Sequence, residues 1–193
     1  MTLFFDEFGL ARAPHTHYAW SRRNHRPGIP SDESHKGDRL NGLLAVDVRS
    51  GETFLEFYER NHSMTVAEYF VILCLLLIGR GYKTIGLVLD NCASHQEKMR
   101  THFNKLLQYI LQDLFSITEP TIQFIDTPPY SPDLNLAEYF IHHLRQHGLY
   151  HTPPTLTVQQ KADRIATKLK EKPIQTPQQT HNILQHIYQL VRL

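Results

Sequence analysis

Three acidic residues, far apart in the chain, stand where regular elements end. Asp6 closes the apolar run Leu3-Phe4-Phe5, Asp90 closes Leu87-Val88-Leu89, and Glu138 falls in the first turn of a helix that opens near Asn135. Acids placed this way meet only in a fold whose strands and helices finish on one edge, and in α/β sheets that edge is the carboxyl end of the strands. A chain of 193 residues with 41% hydrophobic content is long enough to build such a sheet around one sizeable core.

The periodicity along the chain supports a mixed α/β sheet. Residues 3–6 read as a short strand, and residues 40–48 and 53–59 as a hairpin turning at Ser50-Gly51. Thr65-Val66-Ala67-Glu68 has the form of a capping box for a helix running to Ile78, and Thr84 to Leu89 form a strand buried on both faces. Ser94 and Glu97 then cap a helix over residues 96–115, whose stripe of Met99, Phe103, Leu106, Leu107, Ile110, Leu111 and Leu114 is explained by core packing. Residues 121–125 make a fifth strand. Two further helices, residues 158–170 and 178–191, open at Thr157-x-x-Gln160 and Thr176-x-x-Gln179 and pack on the rest. The expected division is a catalytic unit over residues 1–150 and a helical extension over residues 151–193.

Composition removes several alternatives. Two cysteines without Cys-x-x-Cys spacing form neither a disulfide framework nor a thiolate zinc site, which fits a reducing cytoplasm. The start has no signal-peptide pattern, and the longest apolar run, residues 69–78, is too short to span a bilayer, so no membrane partner is expected. A net charge of +1 says nothing about partners, whereas local charge does: Arg12, Arg22, Arg23 and Arg26 lie in an acid-free stretch with Tyr18 and Trp20. Such a stretch is either a solvated loop or a grip on a phosphate backbone. There is no Walker loop, Gly-x-Ser-x-Gly, His-Glu-x-x-His or Gly-x-Gly-x-x-Gly.

Without a side-chain nucleophile, separated carboxylates point to a metal site. Oxygen ligands select hard cations, Mg²⁺ or Mn²⁺, and two such ions can drive phosphodiester displacement. Blander readings stand beside this one. Glu138 three residues after Asn135 is also a capping box, Asp90 can be a plain strand end, Asp6 and Glu7 can be surface acids, and Asp126 and Asp133 compete for the third place. His142, His143 and His147 share the helix of Glu138, and His15 and His17 share the basic stretch, but solvated histidines explain them better than zinc does.

Three motifs in order, Phe5-Asp6-Glu7-Phe8-Gly9 with Trp20 downstream, Leu87-Val88-Leu89-Asp90-Asn91-Cys92-Ala93-Ser94-His95, and Pro128-Pro129-Tyr130-Ser131-Pro132-Asp133-Leu134-Asn135 with Glu138, resemble the DDE catalytic domain of mariner-type transposases, in the bacterial insertion-sequence branch. The resemblance covers residues 3–148, the hairpin Leu44 to Glu52 included. It implies an RNase-H-like fold, and DNA cleavage at element ends that depends on Mg²⁺ or Mn²⁺, two ions, followed by strand transfer into a target. Carried onto this chain, Asp6, Asp90 and Glu138 are the ligands, Tyr130, Ser131, Pro132 and Asn135 shape the loop that positions Glu138, and Asn91 and His95 line the site. The chain departs from the pattern in the 47 residues between Asp90 and Glu138, in Asn24-His25 after the tryptophan, and in Leu136-Ala137 before the glutamate.

The expected partners are double-stranded DNA, a second copy bridging paired ends, and an upstream helix-turn-helix portion supplied separately or by frameshift fusion. The last follows from a first acid at position 6. The expected location is the bacterial cytoplasm, at the nucleoid. Two competing readings are a nuclease of the same fold that uses only water, and a decayed transposase remnant that binds DNA or protein without catalysis.

Overall fold

The computed structural model describes residues 1–11, 22–25, 38–114, 120–129, 131–150, 152–153, 155–171 and 173–191. Five strands form one sheet: β1 (Thr2–Ala11), β2 (Arg39–Asp47), β3 (Thr53–Tyr58), β4 (Thr84–Leu89) and β5 (Thr121–Asp126), in the order β3-β2-β1-β4-β5. β1, β2 and β3 pair antiparallel, while β4 runs parallel to both β1 and β5. β1 is longer than the apolar run suggests. Asp6 and Glu7 continue the strand because their backbones pair with Leu44 and Leu43 of β2.

Alternation along β1 sends its side chains to two different cores. Leu3 and Phe5 join Ile85, Leu87 and Leu89 beneath α1 (Ser63–Gly79) and α2 (Glu97–Gln108). Phe8 and Leu10 join Leu44, Val46 and Phe140 beneath α3 (Leu136–Leu144), α4 (Val158–Glu171) and α5 (Pro177–Val191). With both faces covered, β4 is buried from Ile85 to Leu89, as its unbroken apolar sequence requires. Burial of each large side chain of this kind contributes roughly 1.5–3 kcal/mol.

The turns explain the docking of the C-terminal helices. Gly51 takes φ 72° in the β2–β3 turn, a conformation that costs glycine nothing, and a side chain there would collide with Thr180 of α5. Asp47 closes the same turn, its Oδ2 accepting from Ser50 N at 2.9 Å and from Ser50 Oγ at 2.7 Å. Both capping boxes expected for the two C-terminal helices form. Thr157 N donates to Gln160 Oε1 at 2.9 Å, and Gln160 N donates back to Thr157 Oγ1 at 3.2 Å. Thr176 and Gln179 repeat the exchange at 2.9 and 3.2 Å.

Three local expectations need correction. α1 starts two residues before Thr65, because His62 Nδ1 accepts from Thr65 N at 3.2 Å and serves as the cap. Ser94 does not cap α2, since it lies in a short 3₁₀ turn, Ala93–His95, and its hydroxyl reaches Glu7 and Cys92 instead. The single helix expected over residues 96–115 is α2 followed by wider π-type turns, Tyr109–Leu114. α3 likewise passes into π-type turns, Arg145–Leu149. Among the described residues, no helix is long and apolar enough to cross a membrane.

Candidate active site

Parallel pairing aligns β1 with β4, ending at Phe4 opposite Val88. Two residues further on, Asp6 and Asp90 stand level at the sheet edge. On the α3 face, the helix opening at Asn135 brings Glu138 to the same place. Asn135 does two things there, with only 2% of its surface exposed. Its Oδ1 accepts from Ala137 N at 3.1 Å and caps α3, while its Nδ2 donates to Phe5 O at 3.0 Å and to Asp6 Oδ2 at 3.1 Å. One side chain thus fixes the start of the helix relative to β1. Glu138 occupies the capping-box position, but the backbone N–H it would cap, that of Asn135, donates to Pro132 O at 2.9 Å instead.

Electrostatics shows how close the acids are. Burial first, and the charge of Glu138 next, push the Asp6 carboxyl up to about 7; Asp90 adds to the rise and the Glu7 N–H opposes it. Asp6 and Glu138 also lie within hydrogen-bonding reach. Asp90 behaves in the opposite way. The hydrogen bond from His95 holds it below the usual carboxylate range against the cost of its burial, and the charge of His95 and the Cys92 N–H assist. His95 is nearly inaccessible at 2% exposure, with Nδ1 2.6 Å from Asp90 Oδ1 and Nε2 3.0 Å from Glu7 Oε1. Burial disfavours its charge, but the hydrogen bonds to Asp90 and Glu7 outweigh that and raise it to about 10.

The other candidates separate. Asn91 Nδ2 donates to Thr127 O at 2.8 Å and ties the end of β4 to that of β5. Ser131 Oγ donates to Pro129 O at 3.2 Å, and Pro132 opens a 3₁₀ turn, Pro132–Leu134, which delivers the chain to Asn135. Asp126 forms an ion pair with Arg100, and Asp133 is exposed. His95, Arg100 and Asp126 line a cavity of about 360 Å³ beside Asp90. Arg22 and Arg23 are exposed at a turn, while Arg12, Arg26, Tyr130, His15 and His17 lie outside the described residues. The rings of His143 and His147 are 5.0 Å apart at a separate cavity.

Among the described residues, no three His, Cys, Asp or Glu side chains are gathered into a ready cation cage. Asp90 leans toward His95, and Asp6 toward Glu138 and Asn135. Glu7 is what sequence reasoning missed. The sequence leaves open that it is a surface acid, but its side chain is 15% exposed and bound to His95. The available signal was strand alternation, which sends Glu7 to the face opposite Asp6 and toward the segment after Asp90.

The sheet order and the helices on both faces are those of an RNase-H-like domain. The profile of the DDE superfamily endonuclease domain matches residues 1–157, and the chain belongs to that family. Its fold is similar to that of the mariner Mos1 paired-end complex with Mg, with a TM-score of 0.70 at 14% identity over 99% of this chain and 54% of the other. The corresponding complex with Mn gives 0.65 at 13% identity over 97% and 53%, and the Mos1 strand transfer complex 0.64 at 13% over 97% and 52%. The chain therefore spans about half the length of the chains it resembles. Comparison with curated proteins returns no match.

Proposed function

We propose that this chain is the catalytic portion of a DNA transposase of the mariner-type superfamily, in its bacterial insertion-sequence branch. It would cleave DNA at element ends and transfer the strand into a target. The observation that carries this reading is geometric: Asn135 ties Asp6 at the end of β1 to the start of the helix bearing Glu138, and the charges of Glu138 and Asp90 both act on Asp6, within the residues matched to the DDE superfamily endonuclease domain.

The donors fit Mg²⁺ or Mn²⁺. Asp6, Asp90 and Glu138 offer only oxygens, and the groups seen acting on Asp6 among the described residues are Glu138, Asp90, Asn135 and the Glu7 N–H. These three would hold two ions. Bound there, the ions supply activation of a water or 3′-hydroxyl and stabilisation of the leaving oxygen. The chain's own residues do the rest. Asn135 orients Asp6 Oδ2 and sets the start of the helix that carries Glu138. Asn91 keeps the ends of β4 and β5 together. Arg22 and Arg23, with Arg12 and Arg26 of the same stretch, bind backbone phosphates without reading sequence.

Recognition of element ends falls to a helix-turn-helix portion beyond the catalytic one, and paired ends call for two copies of the chain. The support is that the chain spans about half of a mariner chain, 54% in the Mg complex. The catalytic unit occupies residues 1–150, with residues 151–193 packed on it as an extension.

The test incubates the 193-residue protein with supercoiled plasmid and with an oligonucleotide bearing a free 3′-hydroxyl, in Mn²⁺ and in Mg²⁺. Nicking and joined product, both lost in Asp6→Asn, are expected. Nicking without joining replaces transposition with hydrolysis, and no cation-dependent nicking in either metal overturns the catalytic reading.

A further inference from the structure

β1 places two acids at the sheet edge, and strand alternation turns them to opposite faces. Asp6 faces α3 and meets Glu138. Glu7 is cut off from that pair and meets His95, which follows Asp90 by five residues. Both ring nitrogens of His95 are engaged by carboxylates, Nδ1 by Asp90 Oδ1 at 2.6 Å and Nε2 by Glu7 Oε1 at 3.0 Å. The ring is also held from below by Phe5, edge to face at 5.3 Å, and Ser94 Oγ donates to Glu7 Oε1 at 3.5 Å. A buried imidazole held on three sides has one orientation, so the oxygen it binds has one position. Only one oxygen of Asp90 is held this way. The Asp90 side chain remains 48% exposed, leaving its second oxygen open to a ligand.

We propose that Glu7 is a positioning residue of this site, acting through His95 to fix the Asp90 carboxylate at the height of Asp6. The proposal rests on the reading of Asp6, Asp90 and Glu138 as cation ligands. Glu7 touches neither cation nor substrate in this scheme. It completes a Glu7–His95–Asp90 chain in which β1, already the source of Asp6, also orients the ligand on β4. Residues that hydrogen-bond ligating groups in this way orient them, and their loss weakens metal affinity by roughly 10–100-fold.

The experiment titrates Mn²⁺ into the full 193-residue protein by calorimetry and measures half-saturating Mn²⁺ for plasmid nicking, for wild type, Glu7→Ala, Glu7→Gln, His95→Ala and the double variant Glu7→Ala/His95→Ala. Glu7→Ala should raise both the Kd and the half-saturating concentration by roughly 10-fold or more while leaving the rate at saturating Mn²⁺ within about 3-fold of wild type. Glu7→Gln keeps an acceptor for Nε2 and should recover part of the affinity, including in the event that Glu7→Ala does not fold. In the His95→Ala background, removing Glu7 should have no further effect, because its route to Asp90 is already gone.

Wild-type Mn²⁺ affinity in Glu7→Ala, or in Glu7→Gln if that alone folds, overturns the proposal, as does a full additional loss in the double variant. Asp6→Asn and Asp90→Asn separate this failure from that of the underlying reading. If they lose Mn²⁺ while Glu7→Ala keeps it, only the positioning role falls. If they bind like wild type, the ligand assignment falls and the positioning role with it.

Discussion

The two halves of the acid edge carry their charge differently. On the α3 face, Asp6 lies half-buried beside Glu138 and its carboxyl is raised to about 7. On the α2 face, Asp90 is paired with His95 and lies below the usual carboxylate range. Both acids end or continue neighbouring strands of one sheet, so the difference comes from what packs beside them: a second carboxylate from α3 on one side, an imidazole from the 3₁₀ turn before α2 on the other. If a cation binds there as proposed, the first half gains most from it, whereas Asp90 is already held by His95.

The comparison breaks most completely if the acids are interchangeable with their neighbours. Asp6→Asn, Asp90→Asn and Glu138→Gln should each reduce Mn²⁺-dependent plasmid nicking below detection while the folded chain persists, as read by circular dichroism. Asp126→Ala should keep most activity, because Asp126 is engaged with Arg100 in a partly exposed pair of the kind that contributes about 0–1 kcal/mol. Asp133→Ala should keep it as well. Loss of nicking in Asp126→Ala or Asp133→Ala, with Glu138→Gln active, would move the third position.

The pH dependence of stability sharpens the contrast, since the two halves lose stability in different windows. In chelator, a carboxyl raised from 3.8 to about 7 keeps its proton in the folded chain after the unfolded chain has lost it. Stability therefore falls as pH rises from about 4 to 7 and levels off above. Asp6→Asn should remove that fall, leaving the variant more stable than wild type at pH 8 by on the order of 1–3 kcal/mol, with the gap closing toward pH 4. His95 is raised from 6.5 to about 10, so its contribution is whole below pH 6.5 and lost as pH climbs through 10. His95→Gln should be destabilised at pH 6 and approach wild type above pH 10. Urea melts at pH 4, 6, 8 and 10.5 check both profiles.

The smallest expected effect is on DNA binding. Neutralising Arg22 or Arg23 should weaken binding to all duplexes alike and lower the slope of log affinity against log salt by about one unit each. An unchanged slope in the Arg22→Ala/Arg23→Ala variant reduces that turn to solvated surface.

Much of the fold was legible because the local signals agree with it. The apolar run of β4, the stripe on α2 and the Thr157 and Thr176 capping boxes each reflect short-range chemistry that the tertiary structure has no reason to override. Where a signal was ambiguous, long-range contacts decided. Ser94 and Glu97 have a cap's spacing, but the Ser94 hydroxyl turns to Glu7 on a strand 87 residues away in sequence. Glu138 likewise has a cap's spacing and lies beside Asp6.

The sequence by itself singled out the candidates for the chemistry: three acids at element ends, each inside a motif, on a pattern of strands that admits one sheet edge for all of them. Only the tertiary structure decided how those acids differ. That Asp6 is set against Glu138, that Asn135 clamps β1 to α3, and that Glu7 reaches His95 and through it Asp90 are consequences of register and of which face each strand residue meets. Such relations join residues from 5 to 132 positions apart, and the energy that sets them comes from burial and charge in the assembled fold, which no local pattern encodes.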